Sequence, residues 1–206
     1  ISATTTQAMT EFQSFVSAMQ TAGVGTMLDC TFNHSAWDCE VGTVAQQMFP
    51  NWASSPTAFI RDLRPQWYSK AGDHGQHASY YVNSASTDIA IAPDRFDFGK
   101  WSDVADFNYG LYDTLVTTQT DDQRDNYLSE RDVMQPLDTY HREVWQYFSY
   151  YPLYWLEQTG CPAGTPKNTQ PNVGIAGLRC DFAQGLPSQF WEYTINKTRS
   201  RKWDFV

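Results

Sequence analysis

The chain has 206 residues, 41% of them apolar and 16% aromatic, so it can bury a substantial core and is not an intrinsically disordered segment. A formal net charge of −9 argues against a nucleic-acid groove, because there is no excess of Lys and Arg to neutralise phosphates, and it disfavours an anionic membrane surface. No run approaches the roughly 20 apolar residues that a transmembrane helix requires.

The predicted elements begin with a helix over residues 6–22, where Met9, Phe12, Phe15, Val16 and Met19 recur at helical spacing and Gly23 supplies a C-terminal cap. Residues 24–32 (VGTMLDCTF) form an apolar, β-branched run of the kind that makes a strand buried on both faces. Helix followed directly by strand is the repeating unit of parallel α/β proteins. Residues 35–110 break the rhythm. They are rich in Ser, Gly, Pro, Asn and aromatics, and they read as a loop-rich insertion with short strands at 80–82 and 89–91.

Helical character returns between about 121 and 160, with Val133, Leu137, Tyr140, Val144 and Phe148 on one face, and Pro152 is expected to split the run into two helices. Residues 161–172 hold three prolines and read as an irregular loop. Residues 174–181 (GIAGLRCD) form a second buried strand, and Pro187 opens a helix expected to run to about Arg201. Residues 203–206 read as the opening of a third strand. The expected order is helix, strand, insertion, helices, strand, helix and partial strand, an open fragment with two unpaired edges.

Four cysteines (Cys30, Cys39, Cys161 and Cys180) lack CxxC spacing, which argues against a zinc ribbon. One disulfide and buried free thiols are both open readings. His74 and His77, separated by Gly75 and Gln76, lie in a Gly-flanked loop, which reads as solvated chain rather than a metal site. The sequon at Asn196 falls inside a predicted helix and is discounted. Trp52, Trp67, Tyr68, Tyr80, Tyr81 and Trp101 are candidate sugar-stacking platforms, with the core of the insertion as the commoner fate of such residues.

Chemistry concentrates at the C-terminal ends of the two strands, in LDCTFNH (28–34) and GLRCD (177–181). Arg179 and Asp181 are two apart and therefore share a strand face. A guanidinium beside a carboxylate orients it and favours its ionised form, which suits a nucleophile better than a general acid. A structural ion pair at a strand end is the competing reading of the pair taken alone.

Taken together, these segments resemble the α-amylase superfamily, glycoside hydrolase family 13. LDCTFNH is similar to its DxxxNH motif at barrel strand 3, GLRCD to its GxRxD motif at strand 4, and residues 105–108 (ADFN) to a short motif near the end of its inserted B domain. The resemblance spans essentially the whole chain and implies part of a (β/α)8 TIM barrel. Residues 1–34 would form helix 2 and strand 3, residues 35–110 the inserted B domain, and residues 111–206 helix 3, strand 4, helix 4 and the start of strand 5.

The resemblance implies that Asp181 is the nucleophile of a retaining α-glycosidase or transglycosylase acting on α-glucans. Arg179 would hold that carboxylate, and Asp29 would be the buried partner of Arg179. His34 would hydrogen-bond the sugar in the cleavage subsite. Asn33 and Asp106 match positions that supply oxygen ligands to a structural calcium in many members, against the competing reading of turn-stabilising side chains. No organic cofactor is implied. The sequence leaves the location open, with an extracellular or periplasmic one favoured over the cytoplasm.

The classical amylases continue GxRxD with Lys-His, where this chain has Gln184 and Gly185, a departure from the strict starch endo-hydrolases. The acid/base Glu of strand 5 and a third carboxylate of strand 7 have no counterpart within these residues, so the segment alone is expected to be inactive. A catalytically silent homologue serving carbohydrate binding or assembly is the alternative. The retention of Asp29, Arg179, Asp181 and His34 together argues against it.

Overall fold

In the computed structural model the described residues are 5–36, 38–68, 104–109, 137–181, 183 and 186–206. They form a mixed α/β arrangement with a parallel two-stranded sheet and an antiparallel one. The chain divides into two compact units. The first comprises Ile1–Cys30, Ser149–Asp181 and Thr194–Val206, and the second comprises Thr31–Phe148 and Phe182–Tyr193.

In the first unit, α1 (Thr5–Thr21) buries Val16 on a stripe that also half-covers Met9, Phe12 and Met19, while Phe15 turns outward and stays half exposed. Gly23 ends the helix as expected. With φ of 74° it lets its own N–H reach the Gln20 carbonyl and the Val24 N–H reach that of Met19, which satisfies two carbonyls the helix leaves open. The chain then enters β1 (Met27–Thr31), which is hydrogen-bonded to β4 (Gly177–Asp181).

β1 was expected to be buried on both faces, and it is not. Met27 is exposed and Cys30 is buried, because β1 has β4 as its paired neighbour and packs one face on the core. That core gathers Val16, Leu156, Cys161, Ile175 and Phe205, with Phe12, Leu28, Trp155 and Leu178 packed around it. Burying each of the larger aliphatic side chains contributes about 1.5–3 kcal/mol.

Residues 203–206 do not form a strand in the described structure, yet Val206 donates to the Ala176 carbonyl and accepts from the Leu178 N–H. Those two bonds straddle Gly177, and a Cβ placed there would collide with the Val206 carbonyl oxygen. Gly177→Ala is therefore expected to destabilise the protein by about 1–3 kcal/mol through overpacking against rigid backbone. Chemical denaturation of the full-length variant measures it; an unchanged midpoint would show that the Val206 backbone yields freely.

The helix α4 (Thr139–Gln158) begins at Asp138, whose side chain accepts from the His141 N–H at 3.0 Å, an N-terminal cap. Pro152 does not split the run as expected. It sits inside one continuous helix, which forgoes only the hydrogen bond that the missing N–H would have made. Residues 110–136, including Val133, lie outside the described residues. The helix closes with a turn in which the Cys161 N–H returns to the Leu156 carbonyl.

Residues 161–169 are irregular as expected, followed by a 3-10 turn over Gln170–Asn172. The helix α5 (Ser188–Arg201) starts one residue after Pro187, whose carbonyl accepts from the Trp191 N–H. Thr198 of the discounted sequon is buried within it and bonds the Thr194 carbonyl.

The second unit carries β2 (His34–Ala36), α2 (Gly42–Met48), α3 (Ile60–Leu63), a 3-10 turn over Pro65–Trp67, and β3 (Val104–Asp106). β2 and β3 pair antiparallel, with His34 opposite Asp106 and Ala36 opposite Val104. The expected strands at 80–82 and 89–91 lie outside the described residues. Within the described part of the insertion, short helices occur instead of bare loop.

Aromatic packing holds this unit. Phe107 stacks on Tyr68 and meets Phe148 edge-on at 4.8 Å, and Trp67 meets Trp52 at 5.2 Å. Glu143 accepts from both Arg64 and the Trp67 indole, tying α4 to the 3-10 turn.

Candidate active site

The motif residues gather in two clusters, one within each unit. In the first, alternation along β1 and β4 sends Asp29, Arg179 and Asp181 to one face of the parallel pair, opposite Leu28, Cys30, Leu178 and Cys180. Arg179 spans the two strands. One of its terminal nitrogens lies 3.0 Å from both Asp29 oxygens, and the other lies 3.2 Å from Asp181 Oδ1.

One guanidinium thus bridges two carboxylates, a geometry that its planar fork provides and an ammonium cannot reproduce. The hydrogen bond to Asp29 and the charge of Asp181 raise the Arg179 pKa above the ordinary arginine value, so the bridge stays cationic. Asp29 was expected to be a buried partner; its side chain is 65% exposed, while that of Asp181 is 43% exposed. The partnership with Arg179 holds, and the burial does not. The charged face of the pair lies on the side away from the apolar cluster.

In the second unit, Asn33, His34 and Asp106 converge. His34 faces Asp106 across the β2–β3 ladder, and the Phe107 N–H bonds the Asn33 carbonyl at 2.9 Å. His34 Nδ1 lies 2.9 Å from Asn33 Oδ1, which fixes the ring against its neighbour. Asn33 and Asp106 are both buried, at 2% and 1% exposure.

The buried Asn33 Nδ2 has no hydrogen-bond partner among the described residues. A half-turn of the amide exchanges its two ends, directing Oδ1 into that position and Nδ2 toward His34. This arrangement fits a hard cation in kind, since Asn33 and Asp106 both offer oxygen. Among the described residues no third His, Cys, Asp or Glu completes a metal cluster.

Trp52, Trp67 and Tyr68 are not stacking platforms. Each is buried in the aromatic core of the second unit, and Arg64 caps the Trp52 ring at 4.6 Å. Tyr80, Tyr81, Trp101, His74, His77, Gln184 and Gly185 lie outside the described residues. All four cysteines are free thiols, so neither unit is held by a disulfide, and Cys30 Sγ and Cys180 Sγ approach to 3.5 Å. That juxtaposition was not among the expected contacts. Its signal was present, for each cysteine immediately precedes or follows a residue of the charged cluster. Among the described residues no helix is long and apolar enough to cross a membrane. Neither a family model nor a curated protein matches the chain.

Proposed function

We propose that the chain is the nucleophile-bearing part of a retaining α-glycosidase or transglycosylase that acts on α-glucans within a (β/α)8 barrel. The observation that carries this reading is the Asp29–Arg179–Asp181 bridge, formed across adjacent parallel strands with Asp181 at the C-terminal end of β4, by residues in DxxxNH and GxRxD register. The C-terminal ends of parallel barrel strands are where catalytic groups collect.

Asp181 attacks the anomeric carbon and displaces the glycosidic oxygen, giving a glycosyl ester that water or an acceptor sugar then opens. A general-acid Glu outside these residues protonates the leaving oxygen. Arg179 orients the attacking carboxylate, and Asp29 holds Arg179 from the neighbouring strand. His34 hydrogen-bonds the bound sugar. Asn33 and Asp106 would supply oxygen ligands to a structural calcium, which would stiffen the junction of β2 and β3.

The test is covalent trapping. An activated fluorosugar of α-glucosyl configuration forms the ester quickly and loses it slowly, so the full-length protein should be inactivated with one sugar attached per chain. Peptide mapping should find that sugar on Asp181. A label on any other carboxylate would remove Asp181 from the role. Sugar binding without label or turnover would favour the catalytically silent reading.

A further inference from the structure

Cys30 and Cys180 occupy neighbouring parallel strands on the face opposite the charged cluster, with their sulfurs 3.5 Å apart. The other two cysteines are placed differently. Cys39 bonds the Glu40 carbonyl, and Cys161 is enclosed in the apolar core of the first unit. Paired strands run about 4.8 Å apart, inside the separation a disulfide tolerates between α-carbons. The sulfurs need close by only about 1.5 Å to reach bonding distance, a movement that side-chain rotation supplies.

We propose that Cys30 and Cys180 form an oxidisable dithiol, which hydrogen peroxide converts into a disulfide joining β1 to β4. The two sulfurs divide the work. Cys30 is buried and Cys180 is partly open to solvent, so Cys180 meets the oxidant first. The hydrogen bond from Cys30 lowers the Cys180 pKa, and the same bond together with burial raises that of Cys30. Cys180 is therefore the attacking thiolate and Cys30 the thiol that resolves it.

In the first step the Cys180 thiolate attacks a peroxide oxygen. An S–O bond forms, the O–O bond breaks, and the departing hydroxide takes a proton and leaves as water. In the second step the Cys30 sulfur attacks the sulfenic sulfur. The S–S bond forms, the S–O bond breaks, and hydroxide leaves as water with the Cys30 proton. Two thiols are oxidised and one peroxide is reduced. The product fixes the strand of Asp29 to that of Arg179 and Asp181 from behind, whatever reaction those residues serve.

The experiment uses the full-length protein, hydrogen peroxide and alkylation of the remaining thiols after denaturation. Chymotrypsin and trypsin together are suitable, since Lys167 and Arg179 divide Cys161 from Cys180 across a stretch without Phe, Tyr or Trp. Phe32 and Trp37 lie between Cys30 and Cys39, whereas no Lys or Arg precedes Arg61. The expected result is one linked peptide pair lighter by two hydrogens, with alkylation of Cys30 and Cys180 lost together and restored by dithiothreitol. Cys39 and Cys161 should stay alkylated.

In Cys30→Ser the reaction should stop at a Cys180 sulfenic acid, captured by dimedone. The proposal is overturned if wild-type Cys30 and Cys180 remain alkylatable, or if Cys180 proceeds to sulfinic acid without linking. The wild-type map decides the matter even where the variant folds poorly.

Discussion

Asp181→Asn in the full-length protein is expected to lower kcat by a factor on the order of 10^4–10^6 while leaving the fold intact. The substitution is isosteric and removes only the charge and nucleophilicity of a partly exposed carboxylate. Its ion pair with Arg179 is partly exposed to solvent, and such pairs contribute little to stability. The unfolding midpoint should therefore scarcely move. Turnover of an activated aryl α-glucoside, measured beside a thermal melt, separates the two effects. Undiminished turnover in a folded variant would sink the assignment. Loss of turnover together with loss of the melt would instead identify Asp181 as a structural residue.

Arg179→Gln is expected to reduce kcat by about 10^2–10^3, the scale seen when a preorganised charge is removed from a reacting centre. Arg179 touches three carboxylate oxygens on two strands, so its loss leaves Asp29 and Asp181 facing each other without a cation between them. Arg179→Lys should recover part of the rate. An ammonium restores the charge but cannot reach both strands in the same planar geometry. A positioning role predicts that kcat falls while KM changes little, since Arg179 acts through Asp181 and not on the sugar. An equal effect of Lys and Gln, or a change confined to KM, would mean that Arg179 contacts substrate directly.

Much of this was legible because it depends on short-range rules. The end of α1 at Gly23 follows from a positive φ that glycine accepts readily, and the start of α5 at Pro187 follows from a donor that proline lacks. The shared face of Arg179 and Asp181 follows from the two-residue period of a strand. Asp29 was legible as a partner through its motif, but its exposure was not, because burial depends on which neighbours a strand pairs with.

Pro152 misled for a related reason. One missing donor is a local cost of a few kcal/mol, and the packing of Trp145, Phe148, Leu153 and Leu156 along the same helix outweighs it. Lys202 left no trace in the sequence pattern. It is almost fully buried, donates to the Gln170 carbonyl and lies 3.1 Å from the Asp204 carboxylate, partners that a charged residue near a helix end gives no reason to expect. The Cys30–Cys180 approach was open to the same reading as Asp29 and Arg179, since each cysteine adjoins a residue of that pair on the opposite strand face.

The back-to-back arrangement on β1 and β4 also bears on how such a chain can change over generations. Carboxylates and guanidinium are assigned to one side, thiols and leucines to the other, purely by whether a residue falls on an odd or an even step. A single codon inserted or deleted at the start of 177–181 would exchange the two sides of β4 at once while β1 kept its own, driving charge toward the apolar core and presenting sulfur beside Asp29. Substitution can alter these strands gradually, but a change of length cannot. Residues 162–169, irregular and largely exposed, carry no such parity, and variation in length has room to accumulate there.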